Sequence, residues 1–495
     1  MTGGVLAHHL FAESFSPDDT EGETMQFAIW SRRLSVVRRS RYARNRKKGQ
    51  RLTNWFALSM SIVVMLTGLA ACGTSASSSN GPVNLTYALW DPTEQVGYQQ
   101  SINVFMQQHP NIHVTIEETP WAQYWQKLNT ELAAGDAPDV FWDNVAYFPQ
   151  FAQEGALMDL TPLIQQNKLN LSIYYPNLLG QFQYQGKYYG LPKDWDTISL
   201  FYNKAIFQKM GLPAPTNLTW NPTDGGTLLK LAQQLTVDKN GLHPNQAGFN
   251  SNAIQQYGFL SYNDNQEMYW NFIAENGGQF MNKPFGQFDF NQPKAVQALQ
   301  FLVNLTTKWH VSPPASETNN ISNVHVQLFG RGQVAMILAG SWNTSNIVQQ
   351  SNFPFGITEL PSGPAGRITV MNGLSDAIYA RTPHPQEAWE LEQWLASPQS
   401  QQIVSGGGYV WPGIQSIAPQ YGAYWQKKGV DVNPFLQEAS GQTTSYPITP
   451  GYNQASTEIN DIFNDMFLGH IPVQQATNQA VQQGNAAIQS STPGS

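Results

Sequence analysis

The chain has 495 residues, with 26 Lys and Arg against 34 Asp and Glu and a formal charge of −8. Nucleic-acid binding rests on clustered basic groups that neutralise phosphates, so no nucleic-acid partner is expected. A single cysteine, Cys72, excludes a disulfide framework and a thiolate metal site, and neither metal nor cofactor is called for.

Residues 1–30 hold five acidic groups and no Lys or Arg. That is the wrong sign for the start of a secretion signal, and translation is expected to begin at Met25 rather than Met1. The stretch 38–48 is strongly basic, an apolar run follows from Trp55 to Ala71, and Cys72 closes it. Basic stretch, apolar stretch and small residues before a cleavage point are the order of a secretory signal. As a membrane span the run is short and interrupted by polar residues. Leu69-Ala70-Ala71-Cys72 resembles the bacterial lipobox, which implies that 1–71 are removed and Cys72 becomes a lipidated N-terminus. Ser31-Arg32-Arg33-Leu34 faintly resembles a twin-arginine signal, but more than twenty residues separate it from Trp55, and it is set aside. Ten of the 26 basic but only five of the 34 acidic residues lie in 1–71, so the remaining 424 residues carry a formal −13. Anionic headgroups repel such a body, and membrane attachment falls to the lipid. A body of this length suits two lobes rather than one core.

Residues 72–82, rich in Gly, Ser, Thr and Asn, read as a flexible tether. The segment 83–90 has a strand pattern that stops at Asp91-Pro92, and a helix is expected from there to Gln108. His109-Pro110 breaks it, Ile112–Ile116 alternates like a strand, and 124–132 is amphipathic and helical. A third strand is expected over 137–142. Later, 258–260, 334–338 and 355–358 read as short buried strands, and 226–236, 292–308, 386–396 and 456–468 as helices. Loops are expected at 211–226 and 361–367, a connector over 438–451 and a disordered tail over 489–495. Strands alternating with helices predict α/β architecture with parallel sheets.

Several blocks carry a family resemblance. They are Gly135-Asp136-Ala137-Pro138-Asp139-Val140-Phe141, then 154–162, Tyr189-Gly190-Leu191-Pro192 and Leu200-Phe201-Tyr202-Asn203-Lys204. Phe329-Gly330-Arg331-Gly332-Gln333-Val334-Ala335-Met336, Gly340-Ser341-Trp342, Leu360-Pro361-Ser362-Gly363, Met371-Asn372-Gly373 and 468–476 follow in order. In this order, behind a lipobox, they resemble the bacterial extracellular solute-binding proteins of family 1, the maltose-binding-protein-like group. The loop 221–226 departs from the family pattern, which puts that loop in doubt but not the fold. The resemblance implies a type II periplasmic-binding-protein-like fold: two α/β lobes, a hinge, and a ligand cleft between them. One lobe is expected from 83–195 plus 371–425, the other from 196–370 plus 426–488. It also implies a substrate-binding lipoprotein of an ABC importer, on the outer face of the cell membrane, with permease subunits and a cytoplasmic ATPase as partners. A monomer is expected.

Sugars present an apolar face and a rim of hydroxyls, so binding them calls for aromatic plates beside planar acceptors. Five segments offer both: Trp90-Asp91, Trp142-Asp143-Asn144, Asp194-Trp195-Asp196, Ser341-Trp342-Asn343, and Tyr409 with Trp411 in a glycine-rich turn. The resemblance assigns ligand contacts to Asp91, Trp142, Asp143, Asp196 and Trp342, and more loosely to Asn372 and Gly373. Trp121, Trp125, Trp220, Trp270, Trp389 and Trp394 stand at helical spacings or capping positions and are expected to be structural, and Glu117 and Glu118 to be solvated. Only Lys193 and Arg367 lie near the candidate loops, which favours a neutral sugar over an anionic ligand. A polyol or a polyamine is the alternative within the fold. Asp91, Asp143, Asp194 and Asp196 keep a secreted glycosidase open as the rival class, although hydrolase, phosphate-loop and zinc-helix motifs are missing from the sequence.

Overall fold

The computed structural model describes residues 81–491. Cys72, the secretory signal, the start site, most of the tether and residues 492–495 lie outside them. Fifteen strands run in chain order among the described residues: β1 (Val83–Leu89), β2 (Ile112–Glu118), β3 (Val140–Asn144), β4 (Gln183–Tyr184), β5 (Lys187–Tyr188), β6 (Pro192–Asp196), β7 (Ile198–Asn203), β8 (Val237–Asp238), β9 (Ile254–Gln256), β10 (Met336–Gly340), β11 (Phe355–Thr358), β12 (Ile368–Val370), β13 (Asn372–Ile378), β14 (Trp411–Pro412) and β15 (Gln442–Thr444). The larger sheet has the order β14-β6-β13-β3-β1-β2 and the second β10-β7-β11.

The start of the chain folds as its pattern predicts. β1 pairs in parallel with β2 along its whole length and with β3 through Tyr87 and Ala88. Between β1 and β2 runs α1 (Pro92–Gln108). Asp91 caps it by accepting the N–H groups of Thr93 at 2.7 Å and Glu94 at 3.0 Å, and Pro92 opens its first turn. Helix α2 (Trp121–Ala134) ends where Gly135 takes φ +82°, the left-handed conformation that glycine adopts most readily. Asp139 then locks the entry to β3, accepting the N–H and hydroxyl of Thr86 on β1 at 2.8 and 3.0 Å and the hydroxyl of Thr382 beyond β13.

In the two larger sheets the expectation of parallel pairing holds only for β1 with its two neighbours. β13 runs antiparallel to β3 and β6, β14 antiparallel to β6, and both pairs of the second sheet are antiparallel. The chain leaves the larger sheet after β6, enters the second at β7, and returns along β13 in the opposite direction. One residue, Thr197, separates β6 from β7, and one residue, Met371, separates β12 from β13. The connector 438–451 contains β15, which pairs in parallel with β12 beside the second crossing. The buried stretch 258–260 makes no ladder strand. Gly258 donates its N–H to Thr236 Oγ1 at 2.9 Å, and a Cβ there would lie 2.0 Å from the carbonyl oxygen of Ala232. The four expected late helices form at Gly226–Leu235, Pro293–Thr307, Pro385–Leu395 and Tyr452–Phe467, and the last helix, Val473–Ser490, extends past residue 489.

Candidate ligand-binding site

Open α/β sheets place ligands outside the C-terminal ends of their strands. At the end of β1, Trp90 is half-buried in a group of rings whose centroids lie 5.1 Å (Trp121), 5.1 Å (Tyr124), 5.4 Å (Trp125) and 4.8 Å (Trp142) away. Trp125 stacks on Tyr147 at 3.7 Å, and Tyr147 touches Tyr452 at 5.9 Å. Trp121, expected to be structural, is 42% exposed and forms the open edge of this group.

The rest of the group is closed. Trp142, expected as an aromatic plate, is fully buried. The Lys193 ammonium lies 3.8 Å from its ring centroid, and Tyr98 and Trp90 meet its edges. Its indole N–H donates to the Tyr87 oxygen at 2.6 Å, the Tyr87 hydroxyl donates to Asp376 at 2.8 Å, and Lys193 bonds the same carboxylate oxygen at 3.2 Å. Trp195 and Trp411 stack on each other at 5.2 Å, both buried, with Tyr421 behind Trp411 at 4.4 Å. These three tryptophans therefore pack in this conformation rather than offering an open face.

The carboxyl groups divide by what they hold. Asp91 spends one oxygen on the helix cap. Asp194 accepts the Tyr98 hydroxyl at 2.5 Å, and burial raises its pKa to about 6 against the pull of Lys193. Asp196 accepts side-chain N–H groups from Gln266 and, at 3.0 Å, from Asn372, while Gln266 accepts the Tyr446 hydroxyl. Asp196 and Asn372 thus tie the two crossings to each other and, through Gln266, to the helical turn Asn265–Tyr269. Gly373 packs: its N–H donates to Gln181 at 2.9 Å, and a Cβ would lie 2.4 Å from that acceptor. Asp143 is different. One oxygen accepts the Asn144 N–H at 2.8 Å, the other is buried without a partner, and burial pushes its pKa well up.

Beside the second sheet Trp342 is half-buried and folds back over Gly340, in the turn Ser341–Asn343 that follows β10. Glu267 holds this turn. It accepts the Gly340 N–H and the Asn343 amide, each at 2.9 Å, together with Tyr262 and, at 3.2 Å, His325. Burial alone would raise the Glu267 pKa, but His325 and these donors hold it below the usual range. Burial and the Glu267 charge lift neighbouring Asp264 to about 7. The Tyr421 hydroxyl reaches the Ser341 carbonyl at 3.3 Å, so the helix Ala418–Lys427 touches the turn that bears Trp342. Tyr409, also half-buried, lies against Gly97, where a Cβ would be 2.5 Å from its ring.

Sequence reasoning missed Glu94, Asp264, Gln266 and Glu267, which carry no aromatic neighbour in a recognised block. The Asp-x-x-Glu spacing at the start of α1 was the one signal for Glu94. Among the described residues no group of three His, Cys, Asp or Glu side chains suits a metal ion, and no helix is long and apolar enough to cross a membrane.

Residues 100–430 match the family described as bacterial extracellular solute-binding protein. The galactooligosaccharide-binding protein of Bacillus subtilis is 23% identical over 437 residues, 86% of this chain and 95% of its own. The maltodextrin-binding protein MdxE of the same organism is 25% identical over 334 residues, 65% and 72% of the two chains. Among solved structures, M. tuberculosis UspC shares 32% identity with a TM-score of 0.68, over 82% of this chain and 100% of its own. Lmo0181 of Listeria monocytogenes, solved with cycloalternan, shares 22% identity and the fold, with a TM-score of 0.71 over 82% and 99%. The fold is the two-lobed α/β arrangement of type II periplasmic binding proteins, and with two thirds of its length inside the family match, the chain belongs to the bacterial extracellular solute-binding proteins.

Proposed function

We propose that this protein is the substrate-binding component of an ABC importer, capturing a sugar or oligosaccharide outside the cell and delivering it to a membrane permease with a cytoplasmic ATPase. The observation that carries the reading is the pairing of partly open aromatic rings, Trp90, Trp121 and Trp342, with carboxyl oxygens that the protein leaves unbonded, those of Glu94 and one of Asp143, in a chain whose sheets are joined by single-residue crossings. Relatives that bind maltodextrin and galactooligosaccharide support the same class. Burial raises the pKa of Glu94, Asp143 and Asp196. A micromolar complex needs about −8 kcal/mol. Three or four hydrogen bonds at roughly 1.5–3 kcal/mol each, where the acceptor is charged, with one or two ring contacts, reach that figure after association costs.

The lobes comprise 83–195 plus 371–425 and 196–370 plus 426–488, and ligand shifts them toward a closed form by its differential affinity for that state. Cys72, lipidated, moors the protein beside its permease, since two acyl chains hold a membrane stably where one does not. Binding, not turnover, is the activity. Titrating tryptophan fluorescence with maltotriose, galactotriose and spermidine tests the class, and saturable change with a sugar is expected. A response to spermidine alone would overturn it, and new reducing ends after incubation with either trisaccharide would restore the glycosidase reading.

A further inference from the structure

Glu94 stands three residues after the capping Asp91, the position from which a capping-box carboxylate reaches back to the cap residue's own N–H. It makes no such bond. Among the described residues its carboxyl has no hydrogen-bond or ion-pair partner, yet the residue is only 8% exposed. Its oxygens are not sealed from solvent, so the carboxyl is accessible yet bonded to nothing in the protein.

The groups that face it are already occupied. Asp91, beside it on the cap, holds the start of α1. Tyr98, one turn on, donates to Asp194, and Asp196 holds Gln266 and Asn372. Lys193, the nearby cation, is bonded to Asp376 and covered by the Trp142 ring. Tyr421, from the helix Ala418–Lys427, donates to Ser341. Burial first, then the charges of Asp91, Asp194 and Asp196, push the Glu94 pKa well above the usual carboxyl range, with Lys193 pulling the other way. All of these groups lie where α1 begins and β6 ends, at the mouth of the larger sheet. The protein supplies no partner for Glu94, whose oxygens stay open to solvent at this end of the sheet.

We propose that Glu94 is a ligand-recognition residue: its carboxyl accepts hydrogen bonds from hydroxyl groups of the bound sugar. This rests on the sugar-binding reading.

The test is calorimetric titration of maltotriose and galactotriose into the full protein at pH 7, with Glu94→Gln, Glu94→Ala and the ligand-free melting temperature of each. The expected result is affinity weakened at least ~10-fold in Glu94→Ala, with a smaller loss in Glu94→Gln, whose amide oxygen still accepts. Ligand-free Glu94→Gln should melt no lower than wild type, since a carboxyl without partners loses nothing on neutralisation. Unchanged affinity in Glu94→Ala would overturn the proposal, as would a melting temperature lowered by several degrees, which would make Glu94 a structural residue. If no sugar binds wild type, the sugar reading fails, and the ligand-free melting comparison still decides whether Glu94 serves the fold.

Discussion

Gly340 shows how one residue sets the position of another. A Cβ at 340 would lie 1.8 Å from the Trp342 ring, so the indole rests on bare backbone. Gly340→Ala should push the ring out, destabilise the protein by about 1–3 kcal/mol and weaken sugar binding. Denaturant unfolding and fluorescence titration check both, and retained affinity would remove Trp342 from the site. Residue identity alone gave poor guidance among the thirteen tryptophans after Cys72. Trp142, to which the resemblance assigns a ligand contact, is enclosed by Lys193 and Tyr98, whereas Trp121, expected to be structural, is 42% exposed. Spacing reports which side of its own helix a residue occupies, but says nothing of whether a neighbouring element covers that side.

At the scale of elements, the Gly-x-x-Pro-Asp-Val block has a structural cause. Gly135 ends α2 in a left-handed turn, and Asp139 then fastens β3 to β1 and to Thr382. Asp139→Ala strands three donors at once and should cost about 2–4 kcal/mol, while sugar affinity per folded molecule stays unchanged. Chemical denaturation with sugar titration separates the two, and an affinity loss at full folding would contradict a purely structural role. The elements themselves were legible because helix and strand periods are local: α1, the four late helices and β11 fall close to their expected bounds. Strand direction was not, since β13 pairs with β3 and β6 across more than 170 residues. Nor was β15, whose polar Gln-Thr-Thr reads as loop until β12 is set beside it.

Over the whole molecule, the raised carboxyls set a pH dependence. Asp194 titrates near 6 and Asp264 and Glu438 near 7, all above their ordinary values. Groups with raised folded-state pKa contribute stability that is full below the unfolded value, near 4, and is lost as pH rises through the folded values. Glu267, held low, acts oppositely, and its contribution fades only as pH falls below the ordinary glutamate range. The ligand-free melting temperature should therefore be highest near pH 4.5–5 and fall toward pH 8. Thermal scans across that range test this, and a rise from pH 5 to pH 8 would contradict it. By itself the sequence determined the alternation of helices and strands, the caps and turns and the family, all of which are written in short-range pattern and ordered blocks. Only the tertiary structure decided which polar groups are satisfied. Asp376 takes its partners from Tyr87 and Lys193, 289 and 183 residues away, and Asp196 takes its own from Gln266 and Asn372. A carboxyl left over for a ligand, such as Glu94, becomes visible only when every nearby donor has been traced to another acceptor, because hydrogen bonding depends on distance in space and not along the chain.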